Sequence, residues 1–335
     1  MNTLVTRNSR SSNVFLLLLA VTFIMLCTAP LWAGRADLRF LSEIFLYLGL
    51  AYLWNLLAGY AGLVSVGQQA YVGFGGYLLF ALAINTGVTP LALLPVIGIL
   101  GVLIAVPVAV LIFRLHGAYF AIGTWVVAEV FRLSFAQMTS LGGGSGTSLP
   151  VNVVKSIAAS RSGRESLSYW AAFAVLVLIV ALVFLFLRSR TGLAMTAIRD
   201  NELAAESLGI NIWRTKFFVY IFTAGLTAVL GALIFLQKLR ISPDAAFSVN
   251  DWTAFVIFIV VIGGIGTLEG PIIGTLLYFL LREMLADLGT AYLVILGITA
   301  IVIMLFAPNG IWGFVKSRFG IEFFPMTRRV ISKKE

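Results

Sequence analysis

Reactive side chains are nearly missing from this sequence of 335 residues, in which cysteine and histidine occur once each, as Cys27 and His116. A single cysteine excludes an intrachain disulfide, and one cysteine with one histidine gives a metal ion too few ligands. A serine–histidine–acid site has no candidate, because His116 lies at the edge of an apolar run. No GxxxxGK[ST] phosphate-binding loop occurs. The sequence therefore predicts no metal, no cofactor and no catalytic residue, and any ATP hydrolysis would fall to another chain.

Charged residues are also scarce, at 11% of the chain against 60% hydrophobic residues, and the mean hydropathy is +1.03. Because roughly a quarter of a soluble domain is charged, this composition indicates an integral membrane protein surrounded by lipid. The net charge of +9 could suggest nucleic acid. Lys and Arg, however, lie at the ends of apolar runs and are not interleaved with aromatic residues, which is typical of membrane loops. No nucleic-acid partner is predicted.

Apolar runs of about 20 residues predict an all-α polytopic membrane protein with about ten transmembrane helices. The first run follows Arg7 and Arg10 and could be a signal peptide with Ala33 near its cleavage point. It is longer than the roughly 7 to 15 residues of a signal peptide's apolar core, which favours a retained span. The predicted spans are residues 14–33, 40–58, 69–86, 91–113, 118–137, 169–187, 217–236, 253–267, 271–288 and 292–307.

Glycines interrupt two of these spans. Residues 59–76 read GYAGLVSVGQQAYVGFGG, and residues 262–274 read IGGIGTLEGPIIG. Either segment could be a broken or re-entrant helix, which leaves eight or nine full crossings as the alternative. The longest connection, residues 139–168, contains LGGGSGTSLP, a composition typical of a loop.

Basic residues are distributed unevenly between the two ends of the predicted spans. Ten crossings place both termini on one side, and by the positive-inside rule the side with more Lys and Arg is cytoplasmic. The terminal side holds Arg7, Arg10, Arg114, Arg188, Arg190, Arg199, Arg214, Lys216, Lys316, Arg318, Arg328, Arg329, Lys333 and Lys334. The other side holds Arg35, Arg39, Lys155, Arg161, Arg164, Lys238 and Arg240, while Arg132 and Arg282 lie within or at the edge of spans. Both termini and residues 188–216 are therefore predicted to be cytoplasmic.

The segment 188–216, RSRTGLAMTAIRDNELAAESLGINIWRTK, is a charged insert between two apolar runs. Residues 201–208 are predicted to form a short helix that Asp200 or Asn201 caps and Gly209 ends. Glu202 and Glu206 are four residues apart and share one face of that helix. Two interpretations stay open: a solvated loop helix, or a helix that docks into a groove on a cytoplasmic partner.

Polar residues within the predicted membrane segments are candidates for a translocation path. Ser65, Gln68 and Gln69 lie in the glycine-rich segment, where lipid would penalise their polar groups. Thr124 lies in the following span. Tight helix packing without ligand contact is the alternative for these residues.

Glu129 and Arg132 are three residues apart on one predicted helix and are expected to form an intramembrane ion pair. Such a pair can fix the rotation of the helix or take part in function.

The order of several motifs resembles the permeases of high-affinity branched-chain amino acid ABC importers. AIRDNELAAESLGI at 197–210, followed by Lys216, is similar to the cytoplasmic coupling loop of that family, and NLLAGYAGLVSVGQQAYVGFGGY at 55–77 is similar to its membrane signature. Further matches are HGAYFAIGTWVVAEVFR at 116–132 with GGGSGTSL at 142–149, VIGGIGTLEGPIIG at 261–274 and FAPNGIWG at 306–313. Within the family the chain is most similar to the LivM-type subunit. Gln68 and Gln69 depart from the family pattern, which often has a histidine at or beside Gln69.

The resemblance implies a single transmembrane permease domain over residues 1–335, multi-pass in the bacterial inner membrane. It implies that this permease is not an enzyme and works with a second, LivH-like permease subunit, two cytoplasmic ATPase subunits and a periplasmic substrate-binding protein. Residues implied in coupling to the ATPase are Arg199, Asp200, Glu202, Ala205 and Gly209, and Glu206 shares the face of Glu202. The implied substrate is a branched-chain or related amino acid. Urea, short amides and other small polar solutes are the alternatives within the family, and an ion-coupled secondary transporter is the alternative outside it.

Overall fold

The computed structural model describes residues 3–6, 10–158, 160–285, 288–289, 291–319 and 329–332. Its backbone is largely helical, because a chain in lipid satisfies its N–H and C=O groups most completely within helices. In chain order the elements are β1 Thr3–Thr6, α1 Arg10–Trp32, α2 Arg35–Asn55, α3 Gln68–Thr86, α4 Leu94–Ile112, α5 Ala118–Ala136, β2 Thr147–Ser148, α6 Val151–Ile157, α7 Arg161–Arg188, α8 Arg190–Asp200, α9 Glu202–Ser207, α10 Ile212–Lys238, β3 Arg240–Ile241, α11 Pro243–Ala246, α12 Phe255–Gly263, α13 Gly270–Met284, α14 Ala291–Phe306, α15 Gly310–Phe319 and β4 Arg329–Ser332.

Each predicted span overlaps a helix, but the lengths differ. Within the described residues, seven helical stretches are long and apolar enough to cross a membrane. α3 is outside that set because Gln68 and Gln69 occupy its first turn, and α13, with 15 residues, is shorter than a span of about 20. The prediction of a helical, polytopic membrane protein is confirmed. The total of ten crossings stays a prediction. The seven stretches are Arg35–Tyr60, Pro90–Ile112, Ala118–Ala136, Arg161–Arg188, Ile212–Lys238, Pro243–Gly263 and Ala291–Phe319.

Both glycine-rich spans are interrupted, as the sequence predicts. α2 continues into a wide π-helical turn at Leu56–Tyr60, and residues 62–67 are not helical before α3 begins. Gly62 adopts a φ of +69°, a left-handed conformation that glycine reaches without a steric penalty. α12 likewise ends at Gly263, and residues 264–269 lead into α13 without a helix.

Glycines allow the interior helices to approach backbone to backbone. α10 packs between α3 and α4, and a Cβ on Gly75 of α3 would overlap the carbonyl oxygen of Ala228 on α10. A Cβ on Gly231 would overlap the carbonyl oxygen of Val72 in the same way. In lipid the hydrophobic effect does not drive helices together, so their association depends on van der Waals packing. Small residues at such contacts let the helices approach closely enough to pack. α10 is consequently the best-covered span, whereas α14 is almost fully exposed.

One end of the helices, which we call the insert face, carries residues 188–216. The end of α2 reaches the same face, because Arg199 Nη1 donates to the carbonyl oxygen of Gly59 at 2.8 Å. The turn between α12 and α13 lies there too, since the Gly266 N–H donates to Asn55 Oδ1 at 2.8 Å. The insert is thus bonded to the end of α2, which is bonded in turn to the α12–α13 turn.

The opposite end, which we call the far face, joins the start of α2 to α7 and α13. Arg39 forms an ion pair with Glu165, and Arg282 forms one with Glu43 at 2.7 Å. On this face β2 pairs antiparallel with β3.

A second antiparallel pair, β1 with β4, brings the two ends of the chain together. Arg7, Arg328, Lys333 and Lys334 lie outside the described residues.

Candidate coupling and translocation sites

Short polar side chains divide the insert into helices. Each accepts a hydrogen bond from a backbone N–H in the first turn of the following helix, which satisfies a donor that the helix leaves open. The caps are Ser189 for α8 at 3.3 Å, Asn201 for α9 at 3.0 Å and Asn211 for α10 at 2.9 Å. Of the two cap candidates in the sequence, Asn201 is the one that caps α9.

α9 ends where the sequence predicts. Gly209 has a φ of +80°, and its N–H donates to the carbonyl oxygen of Glu206 at 2.8 Å. The N–H of Ile210 donates back to the carbonyl oxygen of Ala205 at 3.1 Å, which is the bonding of a Schellman stop. The helix is therefore held at both ends by local hydrogen bonds.

The predicted coupling residues divide into two groups by their contacts. Ala205 is 2% exposed, and Arg199, although exposed, bonds the carbonyl oxygen of Gly59 as well as Asp200. Asp200, Glu202, Glu206 and Gly209 are exposed. Glu202 is nevertheless restrained, because it forms an ion pair with Lys216 on α10, with 2.6 Å between Glu202 Oε1 and Lys216 Nζ.

Two exposed leucines at α9 were not predicted from the sequence. Leu203 on α9 is 77% exposed, and Leu208, which follows the helix directly, is 79% exposed. A leucine on a short, otherwise polar helix normally marks its buried face. Here the buried position is Ala205, so the leucines form part of a surface that water does not favour.

A groove of about 1000 Å³ separates the insert from the loop between α4 and α5. Glu202, Glu206 and Lys216 line one wall, and His116 lies on the other. One side of α9 therefore borders the groove, whereas the side that carries Ala205 is buried.

Three of the four path candidates stabilise the interrupted segment before α3. Thr124 Oγ1 accepts a hydrogen bond from the Val66 N–H at 3.0 Å, and Ser65 Oγ accepts one from the Gly67 N–H at 3.2 Å. Gln68 Nε2 donates to the carbonyl oxygen of Leu50 at 3.0 Å. Thr124 and Ser65 replace backbone partners that residues 62–67 lose by leaving the helix, whereas Gln68 links the start of α3 to α2.

A small cavity lies beside this segment. Its volume is about 10 Å³, roughly the space that one water molecule needs. Gln68 Oε1 is buried and has no hydrogen-bond partner among the described residues. The other polar lining residues are Ser65, Tyr71, Tyr220, Thr223 and Thr227.

Gln69 lies apart from the other candidates. It is fully buried, and Thr253, in the π-helical turn Asn250–Ala254 before α12, donates its hydroxyl to Gln69 Oε1. Gln69 Nε2 finds no acceptor in the described part of the chain. Successive residues on a helix point about 100° apart, so the adjacent glutamines serve different contacts.

Glu129 and Arg132 pair on α5, with Arg132 Nη2 2.6 Å from Glu129 Oε1. Asp244 of α11 is a third member, since Arg132 Nη1 lies 2.7 Å from its carboxylate. The side chains of Glu129, Arg132 and Asp244 are 45%, 30% and 81% exposed, so the rest of the chain does not cover this network. No local spacing could reveal Asp244, which is 112 residues from Arg132.

Comparisons with known proteins agree with this architecture. The family model described as "Branched-chain amino acid transport system / permease component" matches residues 38–307. The chain is 27% identical over 324 residues to the high-affinity branched-chain amino acid transport system permease protein LivM of Escherichia coli K12, covering 89% of this chain and 73% of that protein.

More distant relatives include both permease types. A probable branched-chain amino acid transport permease protein LivM of Methanocaldococcus jannaschii is 25% identical, covering 73% of this chain and 81% of that protein. A probable LivH protein from the same organism is 23% identical, covering 73% and 82%. No solved structure matches the chain. The family match covers most of the sequence, and the chain belongs to the permease component family of branched-chain amino acid transport systems, as a LivM-type subunit.

Proposed function

We propose that this permease subunit forms part of the translocation path of an ATP-driven importer for branched-chain or related amino acids. The observation that carries the proposal is the insert, which exposes α9 and is bonded through Arg199 of α8 to Gly59 at the end of α2, where Asn55 in turn bonds Gly266 of the second interrupted segment. The chain contains no phosphate-binding loop, so ATP hydrolysis belongs to separate subunits. The substrate class follows the names of the relatives, which are branched-chain amino acid permeases.

The insert face and both termini are proposed to be cytoplasmic, in a bacterial inner membrane, with about ten crossings. The excess of Lys and Arg on the terminal side supports this orientation. The pairing of β1 with β4 agrees with termini on one side. Residues 1–335 would then form one permease domain, in which residues 188–216 are the cytoplasmic coupling loop.

Two ATPase subunits are proposed to bind from the cytoplasm, one of them at α9. Leu203, Leu208 and Glu206 are the contact surface, because they are exposed while Ala205 anchors the helix. Displacement of α9 would reach α2 and the α12–α13 turn through Arg199, and α10 through the Glu202–Lys216 pair. Conformations that differ in access to the path would then differ in their contacts with the ATPases, as a population shift requires.

The remaining partners are a second, LivH-like permease subunit and a substrate-binding protein outside the cell. The exposed face of α5 is the proposed contact with the second permease. Glu129 and Arg132 sit there among exposed apolar residues, where lipid would penalise them. Ser65, Gln68, Gln69 and Thr124 are proposed to line the path when the interrupted segments move.

The contact surface is tested with Leu203→Glu plus Leu208→Glu in the co-expressed importer. We expect normal membrane insertion and loss of the ATPase subunits on gentle purification, because the variant removes apolar area and adds acidic charge. Val151→Glu, at a 68% exposed position on the far face, is the matched control. An importer that keeps its ATPases in the double variant would show that the leucines do not contact them.

Transmission is tested separately with Arg199→Leu, which removes the hydrogen bond to Gly59. The ATPases should stay bound and hydrolyse ATP while amino acid uptake falls. Arg190→Leu is the control, since Arg190 is exposed on α8 and has no ion pair among the described residues. Uptake that is equal in the two variants would contradict the role of Arg199. Transport by the purified chain without any ATPase would contradict the proposed function itself.

A further inference from the structure

A cavity of about 580 Å³ opens on the far face, between the start of α2, the start of α7 and the end of α10. This volume is within the range of roughly 300 to 1,000 Å³ that small-molecule sites occupy. The cavity lies at the opposite end of the helices from the insert and shares no residue with the groove beside α9.

One wall carries a buried acid with an open acceptor. The Glu165 side chain is only 8% exposed, and its Oε1 faces Arg39 and Arg161. Its second oxygen, Oε2, is buried and has no hydrogen-bond partner among the described residues. A carboxylate oxygen left in this state is costly unless something else donates to it.

The facing wall carries donors with open positions. Gln237 Nε2 is buried and lacks an acceptor in the described part of the chain. The Lys238 ammonium lies 4.6 Å from the ring centre of Trp252 and 5.6 Å from that of Phe235. No carboxylate of the described residues forms an ion pair with Lys238. The nearest lining acids are already engaged, Glu43 by Arg282 and Glu165 by its two arginines.

The wall between these groups is apolar. Leu46 and Tyr47 of α2, Ile234 of α10 and the face of Trp252 line it, and all four are buried. An apolar surface flanked by an open acceptor on one side and cationic donors on the other matches a molecule with an ammonium, a carboxylate and a hydrocarbon side chain.

We infer that this cavity binds a small zwitterionic α-amino acid with an apolar side chain on its way into the path. Its carboxylate would accept from Lys238 and Gln237, its ammonium would donate to Glu165 Oε2, and its side chain would lie against Tyr47 and Trp252. The inference rests on the proposed function, because it assigns the site where a substrate of that class first contacts this subunit.

Binding is tested on the complete importer in nanodiscs, without binding protein or ATP, using labelled L-leucine. We expect saturable binding, with competition by unlabelled leucine. Both 4-methylpentanoate, which lacks the ammonium, and L-leucinamide, which lacks the carboxylate, should compete at least about tenfold more weakly, because each leaves charged groups of the site unpaired. Equal competition by all three would contradict recognition of a zwitterion.

Lys238→Met and Gln237→Leu locate the site. Lys238→Met should weaken leucine binding by about tenfold or more, and Lys238→Arg should restore most of it, because a charge-assisted hydrogen bond is lost and then replaced. Lys155→Met removes an exposed lysine on the same face outside the cavity and should bind leucine as the unaltered importer does. Unchanged leucine binding in both cavity variants would overturn the inference.

Two further measurements separate the remaining explanations. If phosphatidylglycerol co-purifies with the importer and is lost in Lys238→Met while leucine binding is unchanged, the cavity holds a lipid headgroup and the inference is wrong. ATP-driven uptake of amino acids tests the proposed function on which the inference rests. If uptake is normal and Lys238→Met has no effect on it, the cavity site alone is overturned. If the unaltered importer transports no amino acid, the proposed function is overturned.

Discussion

α5 and α14 are both poorly covered by the rest of the chain, yet their exposed surfaces differ. The α14 sequence, AYLVILGITAIVIMLF, has no charged residue, and its exposed side chains include Val294 and Ile298. α5 exposes Val126 and Val130 in the same way but also carries Glu129. Exposure in a single membrane subunit therefore has two meanings. α14 fits lipid, whereas α5 fits another protein or a water-filled space.

The largest effect expected from this comparison is that of Ile298→Lys. A lone ammonium in the middle of a helix that faces lipid costs about 3 kcal/mol, so the membrane-integrated fraction should fall. Val126→Lys on α5 should integrate better, because Glu129 lies three residues away and its carboxylate, already bonded to Arg132, can be shared with the new ammonium. Alkali-resistant membrane fractions measure both. Equal integration would mean that the two helices face the same surroundings.

A smaller effect is expected from Arg132→Leu, which leaves Glu129 and Asp244 without their cation. The loss should be about 2 kcal/mol, seen as a lower melting temperature of the purified permease pair and weaker retention of the second subunit. Glu129→Leu combined with Arg132→Leu should recover part of it, since the carboxylate left unpaired at the contact with the second subunit is removed as well. A double variant no better than the single one would show that the pair does not act as a unit.

The smallest effect is expected from truncating one exposed valine on each helix, which compares the apolar surface of α5 with that of α14. Val130→Ala should destabilise the assembled permease pair by less than about 1 kcal/mol, because it removes packing atoms at a protein contact. Val294→Ala should have almost no effect, since lipid fills the space. Melting temperatures of the assembled pair compare the two variants, and a larger loss for Val294→Ala would reverse the assignment of the two helices.

Local features of the fold could be predicted because their signals lie within a few residues. The cap at Asn201, the stop at Gly209 and the two glycine-rich interruptions each depend on a short sequence. The residues at which helices begin and end were harder to predict from the sequence. Hydropathy predicts a span from residue 169, whereas α7 begins at Arg161, because its first two turns are polar and leave no apolar signal.

The candidate site was only partly predictable, because its groups come together across the chain. Asp244 joins Arg132, and Thr253 joins Gln69 rather than Gln68, through contacts that no periodicity encodes. Asn55 reads as one polar residue in an apolar run, yet its amide bonds residues on the distant α12–α13 turn. Leu203 and Leu208 look like core residues until the fold shows that Ala205 occupies the buried position.

α10 runs without proline for 27 residues, from the turn that holds Lys216 to the one that ends in Lys238. Such a helix is about 40 Å long and lacks the residue that most often kinks helices. A rigid rod of that length amplifies small rotations: a tilt of about 5° at one end shifts the other by about 3 Å. Movement of that size is comparable to a hydrogen-bond length, so a small displacement of the turn on the insert face would be enough to change the contacts of Gln237 and Lys238 at the far face.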